Sequence, residues 1–177
     1  MSVIIKGKTF ANGEQLTAGN TGGVEKEVSQ DFTSKIQKVQ SQLLDCDTAY
    51  VGEEFDKINP LVHNFADGMY IRQITMPAGQ IIVSKIHGQT HPYFILEGDV
   101  SVLTEEGVKR YKAPYSGITT AGTKRVLYTH EDTVWTTVQR TNETDLDKIE
   151  EDVMIKEPDM NFISEEDINK LLEGTEV

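Results

Sequence analysis

Cysteine is almost missing from this sequence: Cys46 stands alone among 177 residues, beside five prolines and one tryptophan. A lone thiol closes no internal disulfide, so the fold must rest on buried apolar surface and needs no oxidising compartment. Cys46 sits between Asp45 and Asp47, with no neighbouring cation to favour a thiolate, and is expected to be inert. Basic residues are scarce too: 17 Lys and Arg face 29 Asp and Glu, a formal net charge of −12. Phosphate backbones and anionic headgroups repel such a surface, so neither nucleic acid nor a membrane surface is expected as a partner. No apolar run approaches membrane-spanning length, and residues 1–10 are too short and polar for a signal peptide. There is no HExxH, no glycine-rich phosphate loop, no Ser-His-Asp order and no Cys paired with a base. Internal repeats and low-complexity segments are missing as well.

What is present is β-type sequence. After 69–75, which opens the barrel, short runs rich in Val, Ile, Phe and Tyr, bounded by Gly or Pro, cover 80–86, 93–96, 99–104, 108–111, 117–120, 124–128 and 133–138. About seven strands at short regular spacing, with no helical pattern between them, predict a mainly β fold, a small antiparallel sandwich or barrel. Trp135 alternates with threonines and is expected inside, with Phe94. The length suits one domain with extensions. Residues 1–65 read as an N-terminal arm and helix for attachment or oligomerisation, 66–140 as the barrel, and 141–177 as an acidic C-terminal extension with short helices.

Outside the barrel the patterns turn helical. Phe32, Ile36, Val39 and Leu43 recur at steps of four, three and four, one apolar stripe on a helix. Such a stripe either lies on its own barrel or forms a short seam between subunits; fewer than two heptads would need barrel contacts as well. The glycine break at 19–23 would let the first segment reach a neighbour. Residues 45–67 read as irregular, with His63 as a loop residue. Residues 141–152 predict a short capped helix with Leu146 and Ile149 inward. Residues 164–174 predict a last one, with Ser164 as N-cap and Gly174 as its stop.

Candidate chemistry is thin. His87 and His91 lie four residues apart in a turn between strands. Two imidazoles need a third ligand and an orienting shell, for which Glu97 and His130 are weak candidates. The alternative is two turn histidines packing against Tyr93 and Arg125. Lys85, Lys109, Arg110, Lys112, Lys124 and Arg125 concentrate cations in an acidic chain. They read either as an anion-binding or subunit-contact face, Lys85 and Arg125 above all, or as solvated strand edges that prevent aggregation.

The order Pro77-x-Gly79, strand, His87-x-x-x-His91, strand ending Leu96-Glu-Gly98, then the turn Thr120-Ala-Gly-Thr-Lys-Arg125, resembles the cupin family. The resemblance implies a double-stranded β-barrel, or jelly roll, holding one metal on three His and a Glu. It carries the first His position to Lys85, the second to His87, the Glu position to His91, and the second motif's His to Arg125. With cations at two of four positions, the metal site is expected to be lost and no cofactor is expected; the alternative is a divalent metal on His87, His91 and His130. The words Val102-Leu-Thr-Glu-Glu-Gly-Val-Lys-Arg110, Ala121-Gly-Thr-Lys-Arg-Val126 and His130-Glu-Asp-Thr-Val-Trp-Thr-Thr-Val138 resemble cupin-like proteins of tailed bacteriophages. The phrase Phe10-x-x-Gly13-Glu-x-Leu16-Thr-Ala18 resembles the opening of phage virion proteins, fibres especially. Together these resemblances imply a non-catalytic virion component, a decoration, fibre or adaptor, whose partners are other phage virion proteins. A homo-oligomer is expected, a trimer before a dimer. The competing expectation is a metal-dependent cupin enzyme or small-molecule binder using His87 and His91.

Overall fold

Most of the β-type runs fold as strands, and glycines let the chain turn back between them. The structure, a computed structural model, describes residues 3–6, 30–104 and 107–155. Its elements are β1 (Val3–Lys6), α1 (Gln30–Leu44), β2 (Ala49–Tyr50), α2 (Glu53–Ile58), β3 (Leu61–Ala66), β4 (Met69–Met76), β5 (Gln80–Val83) and β6 (Ile86–His87). Then follow β7 (His91–Glu97), β8 (Asp99–Thr104), β9 (Gly107–Lys112), β10 (Tyr115–Thr119), β11 (Val126–Thr129), β12 (Thr133–Arg140), α3 (Leu146–Val153) and β13 (Met154–Ile155). The fold is mainly β, as expected.

Two antiparallel sheets face each other. One has the order β2-β1-β5-β11-β8-β9, the other β10-β7-β12-β4-β3, and β6 pairs with β13 in a small third sheet. From β7 onward the chain passes repeatedly between the two large sheets, which wraps one barrel around one core. Ile74, Met76, Ile82, Ile95, Val100, Val102, Leu127 and Trp135 meet there, each buried. Burying an aliphatic side chain of this size contributes roughly 1.5–3 kcal/mol. Gly98 joins β7 to β8 at φ +95°, where an added Cβ would run into Thr133 and Asp132.

Phe94 corrects one expectation. It is 37% exposed. His91, Tyr93 and Ile95 take the inward positions of β7, so strict alternation turns Phe94 to the outer face.

The described strands before residue 65 belong to the two sheets. β1 lies between β2 and β5, β3 pairs with β4 through Phe65↔Tyr70 and Ala66↔Met69, and Phe55 of α2 is buried in the core. The division drawn at residue 65 therefore falls inside a hairpin, and 45–67 holds β2, α2 and β3 rather than irregular chain. On α1, Ile36 is fully buried by its own chain, while Phe32, Val39 and Leu43 are partly buried. α3 forms within the stretch expected to be helical, with Asp145 accepting from the Asp147 N–H as N-cap; Ile149 and Val153 pack on Tyr70, while Leu146 is exposed. The opening phrase at 10–18, the glycine break and the expected helix over 164–174 lie outside the described residues.

Candidate functional site: a cationic chamber between the sheets

Alternation stacks the inward side chains of the second sheet in layers. Trp135 stands opposite Ile74 and Ile95; Thr137 stands opposite Arg72 and Tyr93; Gln139 stands opposite Tyr70, and His91 opposite Thr119. The first layer is apolar and the next two are increasingly polar. At the polar end Tyr93 stacks on Trp135 with ring centroids 4.6 Å apart. Gly117 leaves room for this: a Cβ there would sit 2.7 Å from the Tyr93 ring. Arg125 reaches across from the segment before β11. Its guanidinium carbon lies 5.2 Å from the Tyr93 centroid and 5.8 Å from that of Trp135, and Nη2 donates to Thr119 Oγ1 at 2.7 Å.

Between the sheets lies a chamber of about 80 Å³. Phe55, Ile74, Met76, Ile82, Leu127 and Trp135 form its apolar wall; Arg72, Lys85, His87, Arg125 and Thr137 form its polar side. Among the described residues no carboxylate lines it. Phe55, Arg72, Lys85 and Met154 also line a larger outer cleft of about 560 Å³, whose lining includes His63, Tyr70 and residues of α2 and α3, among them Asp56, Asp147 and Glu150. These four shared residues make a throat. Lys85 is paired at the throat with Glu150 of α3, so its charge is already met. Arg72 is different. Its guanidinium makes no hydrogen bond or ion pair with any described residue, and Asp56 and Glu150 act on it only through space. Burial pulls it below the ordinary guanidinium value, yet Arg stays charged in proteins.

The two histidines expected to matter do meet. The His87 and His91 rings, in β6 and β7 rather than in a turn, lie 4.7 Å apart, both buried, with Arg125 close enough to act on both. His87 is pushed well below the usual imidazole range, first by burial and then by His91, Arg125 and Arg72. His91 is lowered first by burial, against a hydrogen bond from its Nδ1 to the Gln89 carbonyl at 2.8 Å. That bond puts the proton on Nδ1 and leaves Nε2 as a lone pair with no partner among the described residues. Gln139 Nε2 lies 3.5 Å from His87 Nδ1, and Gln139 Oε1 is likewise unpartnered.

These atoms do not fit a resident divalent metal. Among the described residues no three His, Cys, Asp or Glu side chains come together. Two neutral imidazoles and an amide would hold the dication with no anionic ligand, beside two guanidiniums that repel it. His130 is not brought to them: it follows the far end of β11 from Arg125, with its Nε2 2.8 Å from Ser101 Oγ. Glu97 is exposed at the far end of β7. His63 lies in β3 rather than a loop, its Nδ1 2.6 Å from the Tyr70 hydroxyl.

The cations of the barrel separate. Lys124 and Arg125 are buried, and Arg110 is held by Asp99 at 2.7 and 2.9 Å. Lys109 and Lys112 are exposed. Arg72 escaped the sequence reading, though a signal was there: it shares the inward parity of Tyr70, Ile74 and Met76.

No protein-family model matches this sequence, and neither does any curated protein. Solved structures with a similar fold include an acetylacetone dioxygenase from Acinetobacter johnsonii: 17% identity, 54% of this chain and 78% of that one, TM-score 0.40. A cupin-2 domain containing protein from Shewanella frigidimarina matches at 6% identity over 47% and 79%, TM-score 0.39. The Cupin_2 domain of an XRE family transcriptional regulator from Enterobacter cloacae matches at 6% over 49% and 99%, TM-score 0.41. The fold class rests on the strand pairing above; at these scores the likeness says nothing of activity.

Proposed function

We propose that the chain is a metal-independent, non-catalytic binding barrel that admits a small molecule between α2 and α3 and holds it in the chamber. The observation that carries this is the chamber itself: apolar walls with a few convergent polar groups, reached through a throat, are the usual make-up of a small-molecule site. Trp135 is the only tryptophan and forms part of the wall, so occupancy should alter its fluorescence. Titration with a set of short neutral and charged compounds, alongside native mass spectrometry of the purified protein, tests the reading. A saturable change, or a retained small mass, is expected, with melting unaffected by chelator. Silence to every compound with no retained mass would contradict it, as would a chelator that lowers the melting temperature.

The setting we place it in is a phage virion, as a decoration, fibre or adaptor component and a homo-oligomer, with a trimer preferred. Support comes from the phrases at 10–18 and 102–138, and from Phe32, Val39 and Leu43, which flank the buried Ile36 on α1 without being fully covered. Mass spectrometry of purified virions should find the chain in constant ratio to the major proteins. Its absence, or a monomer by light scattering, would contradict this setting.

A further inference from the structure

Resting on the binding reading above, we propose that the chamber takes a short aliphatic monocarboxylate, its carboxylate on Arg72 and its carbon chain against Trp135. Charge decides the class. Arg72, Lys85 and Arg125 face a space that no carboxylate among the described residues lines, inside a chain of net charge −12. Lys85 is neutralised by Glu150, and Arg125 already serves Thr119 and the Tyr93 and Trp135 rings. Arg72 alone is left with its fork of N–H donors uncommitted among the described residues. A half-buried charge facing apolar walls calls for a partner of opposite sign, and a planar guanidinium matches a carboxylate in two parallel hydrogen bonds.

One uncommitted guanidinium suits one negative charge. The nearby hydroxyls are in use: Thr137 Oγ1 donates to the Arg72 carbonyl at 3.5 Å, and Ser84 Oγ accepts from the Arg125 N–H and donates to the Lys85 carbonyl. His87 is held neutral by its burial and cationic neighbours, so it adds no charge. A phosphate dianion would therefore lack donors here. Position fixes the orientation. Arg72 belongs to the throat as well as the chamber, while Ile82, Leu127 and Trp135 line the chamber alone. The carboxylate sits at the throat and the chain points inward. Size limits its length: about 80 Å³ is near half the roughly 150 Å³ of an apolar cavity that holds benzene.

The full-length protein is titrated with sodium butyrate, butyramide and inorganic phosphate, following Trp135 fluorescence and melting temperature. Butyrate is expected to bind saturably and raise the melting temperature. Butyramide, of the same shape without the charge, should bind about 10- to 100-fold more weakly. Arg72→Gln should lose the preference for butyrate over butyramide, and Arg72→Lys should recover part of it. The wild-type comparison of the two compounds needs no variant, so it stands even if Arg72→Gln does not fold. Equal binding of butyrate and butyramide, or a preference unchanged in Arg72→Gln, overturns the carboxylate assignment and leaves the binding barrel in place. Phosphate binding more tightly than butyrate overturns it in favour of a different anion. No response to any of the three, nor to butanol, overturns the binding barrel as well.

Discussion

The two ends of the barrel interior are built from the same alternating strands and do opposite things. Toward Ile95, Val100, Val102 and Tyr111 the inward positions are apolar, closely packed and buried. Toward Arg72, His87, His91, Arg125 and Gln139 they are polar, and several atoms lack protein partners. Both ends share β7 and β12, so strand pairing alone does not separate them. The difference is in what is buried. The first end gains free energy from burial; the second sacrifices some of it by enclosing charge and unpaired polar atoms. On the proposed reading, the second end is kept for what binds there.

Truncations should hurt most at the apolar end. Ile95→Ala removes a side chain with no exposed surface and should lower stability by about 2–5 kcal/mol, read as a lower urea midpoint with unchanged slope. A loss under about 1 kcal/mol would mean that this end is not the fold's anchor.

Acid should act next, through the polar end. His87 and His91 both have folded values below their ordinary one, chiefly through burial. The unfolded chain then binds more protons, so stability is complete above about pH 6.5 and falls as pH drops below it. Asp99 adds a later loss, below the ordinary carboxylate value, because the hydrogen bond from Arg110 holds its pKa down. The urea midpoint should therefore drop between pH 7 and pH 5, and His87→Asn should flatten that drop. An equally steep drop in the variant would place the acid sensitivity elsewhere.

The outer face should be nearly silent. Phe94→Ser, on a residue 37% exposed, is expected to change stability by only about 0.5 kcal/mol. A loss like that of Ile95→Ala would show that Phe94 is covered by another surface, such as a second copy of the chain.

How much of this was legible follows the range of the interactions. The strands from residue 69 onward announce themselves locally, through β-branched runs and the glycines between them. β1 carries a local signal as well, the apolar run Val3-Ile4-Ile5 that reads as a strand, but nothing local records its place between β2 and β5. α2 is six residues with one buried side chain, Phe55, too short for a periodicity to emerge. In the site, the resemblance to the cupin motifs placed His87, His91 and Arg125 at neighbouring positions, and their proximity agrees with it. Arg72 did not, since a charged residue in a strand reads as solvent-facing until its neighbours' parity is counted. Phe94 failed for the converse reason: its apolarity outweighed its parity.

Replacing Arg72 by Met, in ligand-free buffer, weighs the polar end most directly. If the half-buried guanidinium is kept for a ligand, an apolar side chain of similar length should leave stability from urea unfolding unchanged or raise it by roughly 1–4 kcal/mol at most, while butyrate no longer stabilises the protein. A fall of about 2 kcal/mol or more would contradict the account, because Arg72 would then be holding the fold together rather than waiting for an anion.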